Sequence, residues 1–171
     1  MDTMAPEVAA GTQPLYFSVS RAKFIVMSLC TFGIYELYWF YKNWNLIKER
    51  TRQDISPFWR AFFSVFFCHS LIKSIKESAE SNGISTAINP GWLTFAYIVL
   101  IISWRLPDPY WFVSMLSFLP LMPAQSLINT INKKVAPQSD PNNSFSWKNI
   151  VGIILGSILL IFAIIGTFFP E

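Results

Sequence analysis

The run IVGIILGSILLIFAIIGTFF, residues 150–169, holds twenty consecutive residues without a charge. A helix of about 20 such residues reaches across the hydrocarbon of a bilayer. A segment apolar on every side has no water-facing surface to offer, so this run already sets the chain against lipid. Three further stretches read the same way, giving expected spans at about 24–41, 91–106, 110–131 and 149–169. A fifth apolar stretch, about 57–73, is short and carries Arg60 and His69. It is expected to re-enter or embed, because backbone at that depth must be satisfied inside a helix or by protein neighbours. Composition agrees: 13% of the residues are charged, where soluble domains carry about a quarter. The expected fold is an all-α membrane protein with about four transmembrane helices, one short re-entrant or embedded helix and one amphipathic interfacial helix. It forms a single polytopic domain over 22–171, preceded by a mobile extramembrane arm at 1–21. That arm has Asp2 and Glu7 but no basic residue before Arg21, unlike a secretory signal.

The stretch IYELYWFYKNWNLIKER, residues 34–50, crowds aromatic residues and one carboxylate against a basic run. Indole rings favour the headgroup level, and all seven tryptophans (Trp39, Trp44, Trp59, Trp92, Trp104, Trp111 and Trp147) fall near ends of the apolar stretches. Beyond Trp39 the apolar positions thin to a stripe of Leu37, Phe40, Trp44, Ile47 and Ile55 at helical spacing. No proline interrupts the chain between Ser18 and Ser56, so one helix is expected to run through the boundary, with Gly33 its weak point. Pro57 should end it. Its surface part would present Lys42, Trp44, Lys48, Arg50 and Arg52 to anionic headgroups. A net charge of +3 gathered beside membrane segments implies lipid, not nucleic acid, as the partner.

Orientation follows from the thirteen Lys and Arg residues. With 57–73 embedded and 24–41 crossing, ten face the cytoplasm and three lie opposite, with both termini outside. If 24–41 instead dips in and returns at Gly33, only Arg105 is left outside, twelve to one. The crossing is the simpler expectation and the dip the alternative.

Candidate polar sites are few. No phosphate loop, HExxH or nucleophile elbow occurs, so neither an enzyme nor a cofactor is expected. Cys30, Cys68 and His69 cannot supply the four ligands of an ordinary zinc site. His69 reads as a hydrogen-bonded helix residue. Glu36 lies inside an expected span, where ionisable groups are costly, and Arg60 from the embedded segment is its expected partner. Gln125 and Asn129 share one helix face beyond Pro120 and Pro123, where they could bond neighbouring helices or line a polar path. Gly152 and Gly156 make a small-xxx-small pattern suited to close helix packing.

The motif TFGIYELYWFYKNW, residues 31–44, with ISPFWRAFF, residues 55–63, resembles a group of small uncharacterised bacterial multi-pass inner-membrane proteins carrying a TFGxYxxYWxYKxW-like signature. The resemblance covers the first half of the chain. It implies a bacterial inner-membrane location and transfers no activity or site residue. The leading functional reading is association with anionic lipid, with a second copy or with a membrane-protein partner. The alternative is a small transporter or channel component using Glu36, Arg60, Gln125 and Asn129.

Overall fold

A computed structural model describes residues 13–168; most of the expected mobile arm, residues 1–12, lies outside the described residues. Helices occupy Arg21–Cys30 (α1), Ile34–Thr51 (α2), Pro57–Phe62 (α3), Ser64–Ser81 (α4), Pro90–Ile102 (α5), Met122–Val135 (α6) and Trp147–Phe168 (α7). Three 3-10 turns, Ser103–Arg105, Tyr110–Leu116 and Leu119–Leu121, link α5 to α6. The described residues contain no strand. Two helical stretches are long and apolar enough to cross a bilayer: Tyr110–Val135, mean hydropathy 1.4, and Trp147–Phe168, mean hydropathy 2.7.

The expected continuous helix over 24–41 is broken. Phe32 and Gly33 both take positive φ, 51° and 79°, and the Gly33 amide donates to the Ser28 carbonyl at 3.0 Å. This is the left-handed ending that glycine permits without a Cβ penalty. Thr31 secures the corner: its hydroxyl donates to the Met27 carbonyl (2.7 Å) and accepts from the Tyr35 amide (3.0 Å). The chain therefore reverses at this corner, and α2 runs back alongside α1, with Phe24 packed on Trp39.

The helix ends show where it returns. Around Tyr16, whose side chain is fully buried, three C-terminal helix ends converge. The Tyr16 hydroxyl donates to the Ser74 carbonyl (2.9 Å) and pairs with the Ser78 hydroxyl (2.6 Å) on α4. Arg50 of α2 donates to the Leu15 carbonyl (2.7 Å). Asn132 of α6 accepts from the Leu15 amide (3.0 Å) and donates to the Tyr16 carbonyl (2.7 Å). Both α1 and α7 begin at this pole, because Lys23 donates to Asn142 and to the Ser144 carbonyl (2.6 and 2.8 Å) in the loop entering α7. Burial pushes the Lys23 ammonium pKa down, against the upward pull of the Asp140 carboxylate. The two helices then run side by side, Met27 meeting Gly152 and Cys30 meeting Gly156. At the far pole the Phe112 and Phe168 rings stack, centroids 6.3 Å apart.

Residues 24–41 thus form a helical hairpin bent at Gly33, not one continuous helix. Arg21 and Lys23 join the basic residues of α2, α4 and α6 toward one pole, and Arg105 stands alone in the turn after α5. Within the bundle, the start of α1 lies at the basic pole and the end of α7 at the opposite one. The expected arm is also shorter than 1–21: Tyr16 and Val19 are fully buried, so residues 15–19 belong to the core.

Other expectations change for local reasons. The stretch expected as an interfacial helix is the second half of α2, and its stripe of Phe40, Trp44 and Ile47 is buried in the bundle core. It stops at Thr51, where Arg52 turns to a positive φ of 52°, ahead of Pro57. Trp39 and Trp44 are 0% and 1% exposed, so they are core residues, while Trp59, Trp92, Trp104 and Trp147 stand exposed. The segment 57–73, expected to embed as one short helix, is split at Phe63 into α3 and the first half of α4. Over 110–131 the expected single span begins as 3-10 turns, Tyr110–Leu116 and Leu119–Leu121, and α6 starts at Met122 with Pro123 in its first turn. Pro120 and Pro123 lack the amides an α-helix needs there, and proline is tolerated only in a first turn.

Phe24, Trp39, Phe40, Tyr97, Leu71, Ile72, Ile128 and Ile131 fill the core. Outside it, more large apolar side chains are exposed than buried among the described residues, along α3, α5, the 3-10 turns and nearly all of α7.

Candidate functional site

Two polar sites are built into this bundle, at different depths. The deeper one holds Glu36, 2% exposed, in the first turn of α2. The turn at Gly33 puts this carboxylate beside the positive end of its own helix. Ser117, after the 3-10 stretch, donates to Glu36 Oε1 at 2.7 Å. Across a cavity of about 360 Å³ stand Ser64 and Tyr97, whose hydroxyls are 3.3 Å apart. The cavity lining contains no Lys, Arg or His.

Arg60 does not reach this carboxylate. Its guanidinium lies over the Trp44 ring, 4.3 Å from the centroid, and 5.2 Å from that of Phe67. Among the described residues the ion pairs are Lys73–Glu77 and Lys76–Glu80, both at 3.8 Å on α4. The expected Glu36–Arg60 pair is therefore absent, because α3 turns Arg60 toward the second half of α2 while Glu36 sits at its start. Instead Arg60 shares the second site with Arg50, a groove of about 520 Å³ floored by Ser70, Ser74 and Ser78 with Glu77 at hand. Arg50 is held over the Tyr16 ring at 5.0 Å. Two stacked guanidiniums with free N–H groups suit a phosphate oxygen. Lys48 and Arg52 are exposed near this pole and Lys42 lies over the Phe17 ring at 5.9 Å. Trp44 is buried beneath the groove, so it does not touch headgroups as expected.

Gln125 and Asn129 bond the chain's own backbone, and Asn129 also borders a cavity of about 360 Å³ beside Ser18 and Asn132. Gln125 donates to the Val19 carbonyl (3.2 Å) and to Asn129 Oδ1 (2.8 Å), and accepts from the Trp39 indole. Asn129 donates to the same Val19 carbonyl at 2.9 Å. With Asn132 and with Asn43, which accepts from the Phe17 amide at 3.0 Å, they satisfy the extended backbone of residues 15–19. Buried main chain without ladder partners requires such substitutes. The polar path expected from Glu36, Arg60, Gln125 and Asn129 is thus divided among three separate places.

His69 stands exposed on α4, and no cluster of three potential metal ligands occurs among the described residues. Gly156 is the one buried residue of α7, seated on the Cys30 carbonyl of α1, while Gly152 faces Met27. Sequence reading missed Ser117 as the hydrogen-bond partner of Glu36, and Ser64 and Tyr97 as the hydroxyls across the cavity. Their positions in three different elements leave no local pattern to find. The serine spacing at 70, 74 and 78, one helix face, was a signal present but unused. No known protein family, no curated protein and no solved structure matches this chain, so its sites are read from their own geometry and the aromatic-motif resemblance adds no activity.

Proposed function

We propose that this chain is a multi-pass protein of a cell membrane, the inner membrane of a bacterium, acting by association with anionic lipid and with membrane partners. The observation that carries the reading is the separation of charge from apolar surface. The basic residues lie toward one pole, Arg105 excepted, while the flanks between the poles are exposed Phe, Trp, Ile and Leu. In this reading the basic pole faces the cytoplasm. Three segments cross: α5 with its 3-10 turn, Tyr110–Val135, and α7. The pairs α1–α2 and α3–α4 enter from the basic side and return. Exposed apolar surface on that scale is unfavourable in water, at roughly 25 cal/mol per Å², and cost-free against acyl chains. The Arg50–Arg60 groove gives the association a chemical focus, a phosphodiester headgroup.

The test is lipid retention. Protein taken into nanodiscs of mixed phosphatidylglycerol and phosphatidylcholine, then examined by native mass spectrometry, should retain phosphatidylglycerol preferentially. Replacing Arg50 and Arg60 by Gln should abolish the preference. Equal retention of both lipids by the parent protein would contradict the reading.

A further inference from the structure

We infer that the Glu36 cavity is a binding site for a lipophilic ammonium ion, a positively charged amine carrying a small apolar group. The inference rests on the proposed membrane placement but not on lipid association at the basic pole, which needs no ligand at this depth.

A carboxylate at the inner end of an apolar cavity needs a compensating charge or a proton. Ser117 supplies one hydrogen bond to Oε1, at 2.7 Å, and no described donor bonds Oε2. No cationic side chain lines the space. Because Gly33 has no side chain, nothing from the turn fills the room next to Oε1; a Cβ built there would lie 3.7 Å from it. The cavity keeps about 360 Å³ open in front of the acid, near the lower end of ligand-sized pockets.

The walls define the ligand. Ser64 and Tyr97 present hydroxyl oxygens that accept N–H bonds. Phe62 and Trp104 present aromatic rings, which attract a cation over their faces. One carboxylate and scattered hydroxyls are too few for a hard metal ion, which takes six or more oxygen ligands. An ammonium group, with three donors and an apolar tail, uses every feature. The mouth defines the route: Ile34, Phe62 and Trp104 are 67%, 60% and 60% exposed and belong to the apolar flank, so the ligand enters from the acyl region.

The test uses the full chain in phosphatidylcholine nanodiscs, with radiolabelled 2-phenylethylamine as probe and protein-free nanodiscs as the partition control. Saturable binding of about one amine per chain is expected, with 2-phenylethanol failing to compete. Glu36→Gln keeps an acceptor for Ser117 but removes the charge, and should weaken binding at least tenfold. Ile101→Trp fills the cavity from its wall with the acid intact and should do the same, which covers the case of a Gln variant that fails to fold. Uptake no greater than in empty nanodiscs would overturn the site. So would undiminished binding by either folded variant.

Discussion

Gly156 of α7 rests on the backbone carbonyl of Cys30 so closely that a β-carbon at that position would overlap the oxygen. The contact lies where α1 ends and turns, so the long apolar helix is registered against the tip of the α1–α2 hairpin. Between helices in lipid, where no hydrophobic gain favours association, backbone approach of this kind supplies dispersion and Cα–H···O contact.

This contact predicts unequal effects from two otherwise similar changes. Gly156→Ala must push α7 off α1, and overpacking of this kind costs about 1–3 kcal/mol. A Cβ at Gly152 meets only the Met27 methyl at 3.9 Å, so Gly152→Ala should be nearly neutral. Thermal melts in one detergent compare them directly. Indistinguishable melting of the two variants would show that the approach is not part of the fold.

The Asn132 side chain serves Leu15, Tyr16 and Ser18 at once. Asn132→Leu leaves several buried polar groups without partners, each at about 1–3 kcal/mol. The expected result is a large loss of stability and new protease cleavage within residues 13–20, with α7 still membrane-inserted. A variant as protease-resistant as the parent would remove the clamp from the account.

Much of this bundle was legible in the sequence, and the failures have a common cause. The apolar runs identify α5, the 110–135 stretch and α7 because length and hydropathy are local properties. The proline-rich turn at 106–110 is local too. Whether 24–41 crosses or returns is decided by one corner, Thr31 to Gly33, and the corner is stabilised by contacts with Ser28 and Tyr35 that no hydropathy profile contains. Trp44 looked interfacial because an indole beside lysines usually is; the helix face it occupies points inward because Arg60 of α3 and Phe67 of α4 cover it. Gln125 and Asn129 were recognisable as a polar face, but their partner is the extended backbone around Val19, 106 and 110 residues earlier in the chain. Arg60 and Glu36 looked like natural partners by charge alone, and their separation is set by the angle of α3.

Tryptophan exposure separates lipid-facing from core positions. In single-tryptophan variants reconstituted with brominated lipids, Trp92, Trp104 and Trp147 should be strongly quenched. Trp39 and Trp44, 0% and 1% exposed, should be quenched weakly or not at all. Strong quenching of Trp44 would restore it to the headgroup layer and contradict its place beneath the Arg50–Arg60 groove.

Gly33 carries the reversal between α1 and α2 at a φ of 79°. Gly33→Ala should cost about 1–2 kcal/mol, the left-handed penalty for a residue with a Cβ. Gly166→Ala, with open space around it, should gain or lose little. If both substitutions have the same effect on melting, the turn is not under the constraint described.

The central claim, that α1 and α2 enter and leave by the basic side, is tested most directly by comparing two exposed arginines. Arg21→Cys and Arg105→Cys, each in a background with Cys30 and Cys68 replaced, are treated in intact cells with a membrane-impermeant maleimide. The in-and-out path predicts labelling at position 105 and none at position 21 until the membrane is opened. Labelling of both positions from outside would mean that 24–41 crosses the bilayer, and would contradict the account.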